Sequence, residues 1–274
     1  MKRILVPIDF SNYSIEALKV AAQIARKNNF DIIVLHLLEL PNQASDIFGN
    51  VNSIPEIILF KNKAISKLEE LMESSFLEGI NVFESIELNK IDKGIIDASI
   101  KNEVDLIVMG SHGTSGFNEI LVGSNTEKIA RISNIPVLVI KKEIKEFKAN
   151  NFVFASDFSK ETQKPFRKML EFAKIFNSKL SLVTICTPGS FKTTAATEKI
   201  MKDFIANFNI DNYSTHIYND ANIENGIINF SNSHNADLIG LCTHGRTGLA
   251  HFYNGSISED LVNHANKPVI TFRI

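Results

Sequence analysis

The sequence predicts an α/β protein in which two tandem parallel sheets carry helices on both faces. Three observations predict it. Short β-branched apolar runs alternate with segments of helical period. Several of those runs are apolar at almost every position, as strands buried on both faces are. The second half of the chain also repeats the first.

The elements follow in order. Residues 3–8 form an apolar run closed by the turn Pro7–Ser11. Residues 14–28 place Ile15, Leu18, Ala22 and Ala25 near helical spacing. "DIIVLHLL" reads as a second strand, and residues 61–78 read as a helix with Ile65, Leu68, Leu71 and Met72 on one face. "INVFESIEL" is a third strand and "KGIIDASIKNE" a short helix. "VDLIVMG" is a fourth strand, followed by a glycine-rich loop and a helix over residues 124–134. "PVLVIK" closes the unit. The charged stretch "KEIKEFKAN", residues 142–150, suits a surface linker. The predicted domains are therefore 1–146 and 147–274.

The repeat shows residue by residue. Asp9-Phe10-Ser11 returns as Asp157-Phe158-Ser159, and His36-Leu37 as Thr184-Ile185, both 148 positions on. Asp105 and Gly113 return as Asp237 and Gly245, 132 positions on. The change of offset leaves about sixteen extra residues in the first half. They fall near "LPNQASDIFGNVNSIPEIILF", residues 40–60, a long segment that reads as a lid over a first-half site.

Composition narrows the function. The chain has 274 residues, a formal net charge of -2, and 29 basic against 31 acidic side chains. That balance offers no basic face for nucleic acid. Cys186 and Cys242 are the two cysteines, too few for a disulfide framework or a tetrahedral cysteine metal site. The N-terminal apolar run is too short for a signal peptide, and no apolar run reaches bilayer-spanning length. These readings predict a cytoplasmic protein without a membrane partner.

The chemistry concentrates in "IVMGSHGTSGFNEILVGSNTEKIA", residues 107–130, where four glycines fall in fourteen positions. The loop leaves the carboxyl end of a strand, where ligands of open α/β sheets bind. Glycine admits positive φ and lets a ligand approach main-chain N–H groups. The helix that starts near Ser124 adds unpaired N–H groups and the positive end of its dipole, which favours an anion such as phosphate. A local reading stands beside this one. Ser124-Asn-Thr-Glu127 and Ser256-Ile-Ser-Glu259 both spell a capping box. The loop is neither a Walker A motif nor a dinucleotide fingerprint.

Gly110-x-x-Gly113, nine residues, then Gly123-Ser124 resembles the G-2x-G-9x-G-S/T nucleotide motif of the universal stress protein family. "ILVPIDFS", "LHLLE" and "NIPVLVIK" resemble that family too, and the likeness covers nearly the whole chain in two copies. The resemblance implies, for each half, an open five-stranded parallel sheet of order 3-2-1-4-5 in the adenine nucleotide alpha hydrolase-like class. It implies ATP as ligand, with Mg2+ as a companion ion, in a regulatory or stress-response role. By the same resemblance, Pro7 and Ile8 shape the adenine edge, Asp9 lies beside the adenosine, and the Leu37 backbone meets adenine. Gly110, Gly113, Gly123 and Ser124 line ribose and phosphates, with Asn125 next to them. A turn or cap role for Asp9 is the local alternative.

The second half departs from this pattern. Cys242 stands where the first half has Gly110, and Ala155 where it has Pro7. Asp157, Ile185, Gly245, Arg246, Gly255 and Ser256 remain as a degenerate set, so ATP is expected mainly in the first half. His112 and His244 share a loop position, but no partner residue orients either as a base, so no catalytic residue is assigned. The other readings are a metal-dependent ATPase or phosphoryl-transfer enzyme, and an interaction module that binds no nucleotide. "PVLVIK" and "PVITFRI" are apolar enough to pair across an internal pseudo-two-fold axis. Pairing of the whole chain with a second copy is a further partner the sequence leaves open.

Overall fold

In the computed structural model, the described residues are 2–39, 54–111, 123–243 and 265–274. The first half runs β1 (Arg3–Pro7), α1 (Asn12–Asn28), β2 (Asp31–Leu38), α2 (Ile54–Met72), β3 (Val82–Leu88), α3 (Ile91–Lys101), β4 (Leu106–Gly110), α4 (Ser124–Ile132) and β5 (Val137–Ile140). The second runs β6 (Asn151–Ala155), α5 (Gln163–Phe176), β7 (Lys179–Cys186), α6 (Thr194–Ile205), β8 (Tyr213–Asn219), α7 (Ile223–Ser233), β9 (Leu238–Thr243) and β10 (Val269–Arg273).

Each half has the strand order the sequence led us to expect, but the two sheets are one. Ten strands lie in the order β3-β2-β1-β4-β5-β10-β9-β6-β7-β8. Neighbours within a half pair parallel. β5 and β10 pair antiparallel at the seam, with Val139 opposite Val269 and Val137 opposite Thr271. That is the internal pseudo-two-fold pairing the two closing strands predicted. Val137, Leu138, Val139, Ile140, Val269, Ile270 and Phe272 are all fully buried there. Each such side chain contributes about 1.5–3 kcal/mol by leaving water, so the seam is a core and not a loose contact.

The backbone carries the repeat as clearly as the sequence. Among the described residues, the non-glycine residues with positive φ are Phe10, Asn29, Glu103, Phe158, Asn177 and Asn235. They form three matched pairs, one member in each half. Asn29 and Asn177 are left-handed caps that end α1 and α5 at equivalent points.

Two expectations need correction. The helix expected over 61–78 is α2, which starts at Ile54 and ends at Met72. A 3₁₀ turn follows at Ser75–Leu77. Residues 54–60, expected within a lid loop, are therefore helical, and the rest of that segment lies outside the described residues. Residues 142–150 are the irregular, largely exposed surface connection expected, with an anchoring the sequence did not show. The Gln23 side chain of α1 donates to the carbonyls of Ile144 and Lys145, and its oxygen accepts from Phe147 N at 2.6 Å. Phe147 packs on Phe176 of α5, with ring centroids 5.6 Å apart. The linker is stapled to both halves. Among the described residues, no helix is long and apolar enough to cross a membrane.

Candidate functional site

The carboxyl ends of β1, β2 and β4 lie side by side, and the site is built there. β1 ends at Pro7. Ile8 N–H then donates to Leu35 O at 2.8 Å, and Ile8 is buried. The chain turns at Phe10, whose φ is 64°. Asp9 Oδ1 accepts from Ser11 N at 3.0 Å, and Ser11 caps α1 by accepting from Ser14 N. Asp9 thus holds the turn, as the local reading expected. Holding it also fixes Asp9 at the strand end, where the family resemblance wants it.

β2 continues past the end of β1. Leu35 O faces β1, and Leu38 O accepts from Asn89 N on the β3 side. Carbonyls alternate along a strand, so the Leu37 N–H and C=O face the β1 side, beyond the point where β1 stops. That is a donor and an acceptor on one short edge, the pair an adenine edge needs. The Leu37 side chain points the other way, against α3. A Cβ added at Gly94 would sit 2.5 Å from Leu37 Cδ2. Sequence reading passed over Gly94. The repeat could have found it, because Gly226 packs on Ile185 in the same manner at 2.5 Å.

Gly110 ends β4, and the structure gives it a different reason from the one the sequence suggested. A Cβ there would meet the Tyr13 carbonyl carbon and oxygen at 2.5 Å and Ser14 N at 2.9 Å. The missing side chain admits the first turn of α1, a neighbour that cannot swing aside as a ligand could. Thr126 Oγ1 donates to Gly110 O at 2.8 Å, and Gly123 N donates to Ser111 O at 2.6 Å. These two bonds tie the start of α4 to the end of β4.

The predicted capping box at Ser124 is absent. Gly123 is the N-cap, Ser124 is the first helical residue, and the N-cap makes no side-chain cap bond. A glycine N-cap has no side-chain oxygen to offer the first-turn N–H groups, which suits an external acceptor there. Ser124 and Asn125 are exposed in that first turn. Gly113 lies outside the described residues. The structure thus brings Pro7, Ile8, Asp9, Leu37, Gly110, Gly123, Ser124 and Asn125 to one edge of the first-half sheet.

Two residues at this edge were missed. His36 Nδ1 lies 2.7 Å from Ile8 O; a carbonyl only accepts, so Nδ1 carries the proton. Its ring packs on Phe10 with centroids 4.7 Å apart, and Lys67 Nζ lies over the Phe10 ring, 5.1 Å from its centroid. His36 stood beside Leu37 in the quoted motif; Lys67 comes from α2 and no local pattern marks it.

The second-half edge repeats the backbone. Ser159 N donates to Asp157 Oδ1 at 3.0 Å, Phe158 has φ 53°, and Thr184 Oγ1 donates to Ser156 O at 3.1 Å. Ile185 takes the Leu37 position. Around Cys242 the two halves part. α1 begins at Asn12, whereas the matching stretch Lys160–Thr162 is a 3₁₀ turn and α5 begins only at Gln163. Burial and the nearby Asp157 carboxylate push the Cys242 thiol well above its usual range, so it is neutral and packs as a small apolar group. Gly245, Arg246, Gly255 and Ser256 lie outside the described residues. Among the described residues no cluster of three or more His, Cys, Asp or Glu could hold a metal ion. A Mg2+ ion here would rest mainly on phosphate oxygens and water.

The model of the Universal stress protein family matches residues 1–141 and again 148–273. A universal stress protein of Methanocaldococcus jannaschii is 34% identical over 159 residues, which is 52% of this chain and 96% of that protein. A universal stress protein of Synechocystis is 23% identical over 296 residues and matches 100% of both chains. The crystal structure of a universal stress protein from Archaeoglobus fulgidus aligns with a TM-score of 0.77 at 23% identity, over 99% of this chain and 98% of that one. That last likeness speaks for the fold alone. Two matches of the family model, one on each half of a single ten-stranded sheet, lead to one conclusion: the chain is a tandem member of the universal stress protein family.

Proposed function

We propose that this chain is an adenine-nucleotide-responsive regulator that binds ATP in its first half. The observation that carries the reading is the edge where β2 overruns β1. The Leu37 backbone offers a donor and an acceptor there, and the glycine-capped start of α4 stands on the same edge. An adenine at one point and a phosphate chain at the other would use both. The proposed domains are 1–146 and 147–274. The second half, with Cys242 for Gly110, binds nucleotide weakly or not at all. Mg2+ accompanies the phosphates. The two free thiols suit a reducing cytoplasm.

Calorimetric titration with ATP and Mg2+ tests this. One site per chain is expected, lost in Gly113→Asp and kept in Gly245→Asp. Two equivalent sites, or none, would refute it. Turnover of ATP in the same samples separates a binding regulator from an ATPase; the regulator needs no turnover. Sedimentation of the same chain with and without ATP tests whether two copies associate.

A further inference from the structure

The second half keeps its fold although its glycine loop has drifted, and the seam shows what that fold does for the first half. α4 begins at the first-half edge and ends on the second half. Thr271 Oγ1 and Thr243 Oγ1 both donate to Ala130 O, at 3.0 and 3.3 Å. Arg273 donates to Ile132 O at 2.6 Å and to Asn134 Oδ1 at 3.3 Å. Lys168 of α5 donates to Asn134 O at 2.5 Å. Thr243 and Thr271 are almost fully buried. Three side chains of one half thus satisfy carbonyls in the last turn of a helix in the other, Lys168 bonds the chain just beyond it, and Arg273 and Lys168 bring positive charge to its negative end.

Two of these four donors have no polar counterpart in the first half. By the two offsets of the repeat, Thr271 corresponds to Val139 and Lys168 to Val20, both fully buried and neither able to donate. Thr243 corresponds to Ser111 and Arg273 to Lys141. The Thr243, Thr271 and Arg273 contacts converge on the end of the helix whose first turn faces the first-half site.

We propose that Thr243, Thr271, Arg273 and Lys168 are positioning residues that hold α4 so that its N-terminus meets the phosphates in the first-half site. This rests on the nucleotide reading above. The helix is short and tied at both ends: to Gly110 and Ser111 at its start, to the second half at its finish. Loosening the finish lets the start move, and a backbone anion site depends on where those N–H groups point. The second half is then not an idle copy. It completes the site of its neighbour.

The test uses the full chain and compares ATP with adenosine, which lacks the phosphates. The variants are Thr271→Val and the double change Thr271→Val/Lys168→Val, which import the residues the first half already tolerates at matching positions. ATP affinity should fall about five- to tenfold in the double variant, as the loss of one buried hydroxyl donor and one partly exposed cationic donor implies, while adenosine affinity holds. Thr197→Val, which deletes another buried hydroxyl far from α4, should change neither. Equal loss for both ligands, or no loss for either, overturns the proposal and leaves the nucleotide reading standing. An unaltered chain that binds no ATP overturns both. Should the double variant fold poorly, Thr271→Val alone carries the same comparison, with amide exchange over residues 124–132 expected to quicken and unchanged exchange counting against the clamp.

Discussion

The C-terminal edges of the two half-sheets share a backbone and differ in what fills it. In the first half, Phe10 is partly exposed, with His36 on one contact and Lys67 on another. In the second half, Phe158 is buried against Phe166 and Phe204, and Phe166 also meets Phe154 and Phe208. The same positive-φ turn therefore faces a polar stack in one copy and a phenylalanine core in the other. Duplication explains how both survive. If one half holds the site as proposed, the other is free to exchange a ligand-facing edge for one that packs.

The largest effect should come from that core. Phe166→Ala deletes a fully buried ring at the centre of the aromatic cluster, and urea unfolding should show a loss of about 3–5 kcal/mol. Under folding conditions its ATP affinity should match that of the unaltered chain. A large loss of ATP affinity without loss of stability would mean that the phenylalanine cluster serves the ligand.

Exchanging the glycine position is the next test. Gly110→Cys puts the second-half residue into the first, where its Cβ would run into the Tyr13 carbonyl at 2.5 Å. Backbone must shift, so stability should fall by about 1–3 kcal/mol, and ATP binding should weaken because α1 and β4 both border the site. Cys242→Gly should cost less, since the 3₁₀ start of the matching helix already leaves room. Equal stability of Gly110→Cys and the unaltered chain would show that α1 can retreat as the second half has done.

How much of this could be read beforehand depends on the kind of interaction. "DIIVLHLL" became β2 with the expected limits, because burial on both faces writes itself into the sequence as an unbroken apolar run. The closing strands and the repeat were legible for the same reason. The start of α2 was not. Ile58, Leu59 and Phe60 are consecutive and exposed, so they show no helical period, and Pro55 looks like a breaker although a first helical turn accepts it. The linker's exposure was legible in its charges, but its anchor was not, because Gln23, which holds it, is far away in the chain. Gly110 was recognised as a place where no side chain fits, but only packing identifies Tyr13 as the obstacle. The capping box failed because its letters fit two registers and the bonds from Gly123 and Thr126 to β4 select the other.

A smaller difference separates His36 from Thr184. Both bond the carbonyl of the residue at the strand end, Ile8 in one half and Ser156 in the other. His36→Thr should therefore keep most of the stability, while His36→Val leaves Ile8 O without that donor and should lie about 1 kcal/mol lower. Thermal unfolding of the two variants side by side decides it. Equal values would mean that the ring stack on Phe10, and not the hydrogen bond, is what His36 contributes.

The last comparison concerns the two seam cations. Lys141 follows β5, and burial lowers its ammonium pKa from 10.5 to about 8. Below about pH 8 the folded and unfolded chains both carry its proton, and the cost of burying the charge is constant. Between about pH 8 and 10.5 the unfolded chain still holds a proton that the folded chain has released, so this group makes stability rise with pH across that window. Lys141→Met removes the rise. The stability advantage of Lys141→Met over the unaltered chain should shrink steadily from about pH 7 to pH 10 in denaturant titrations. The thiol of Cys242 acts with the opposite sign at the top of the range, but it is present in both chains and cancels in the difference. Guanidinium groups in general do not lose their proton in this range, so Arg273→Met, at the counterpart of Lys141, should show a difference that does not vary with pH. Parallel curves for Lys141→Met would mean that water reaches the ammonium, and that the two ends of the seam are solvated alike.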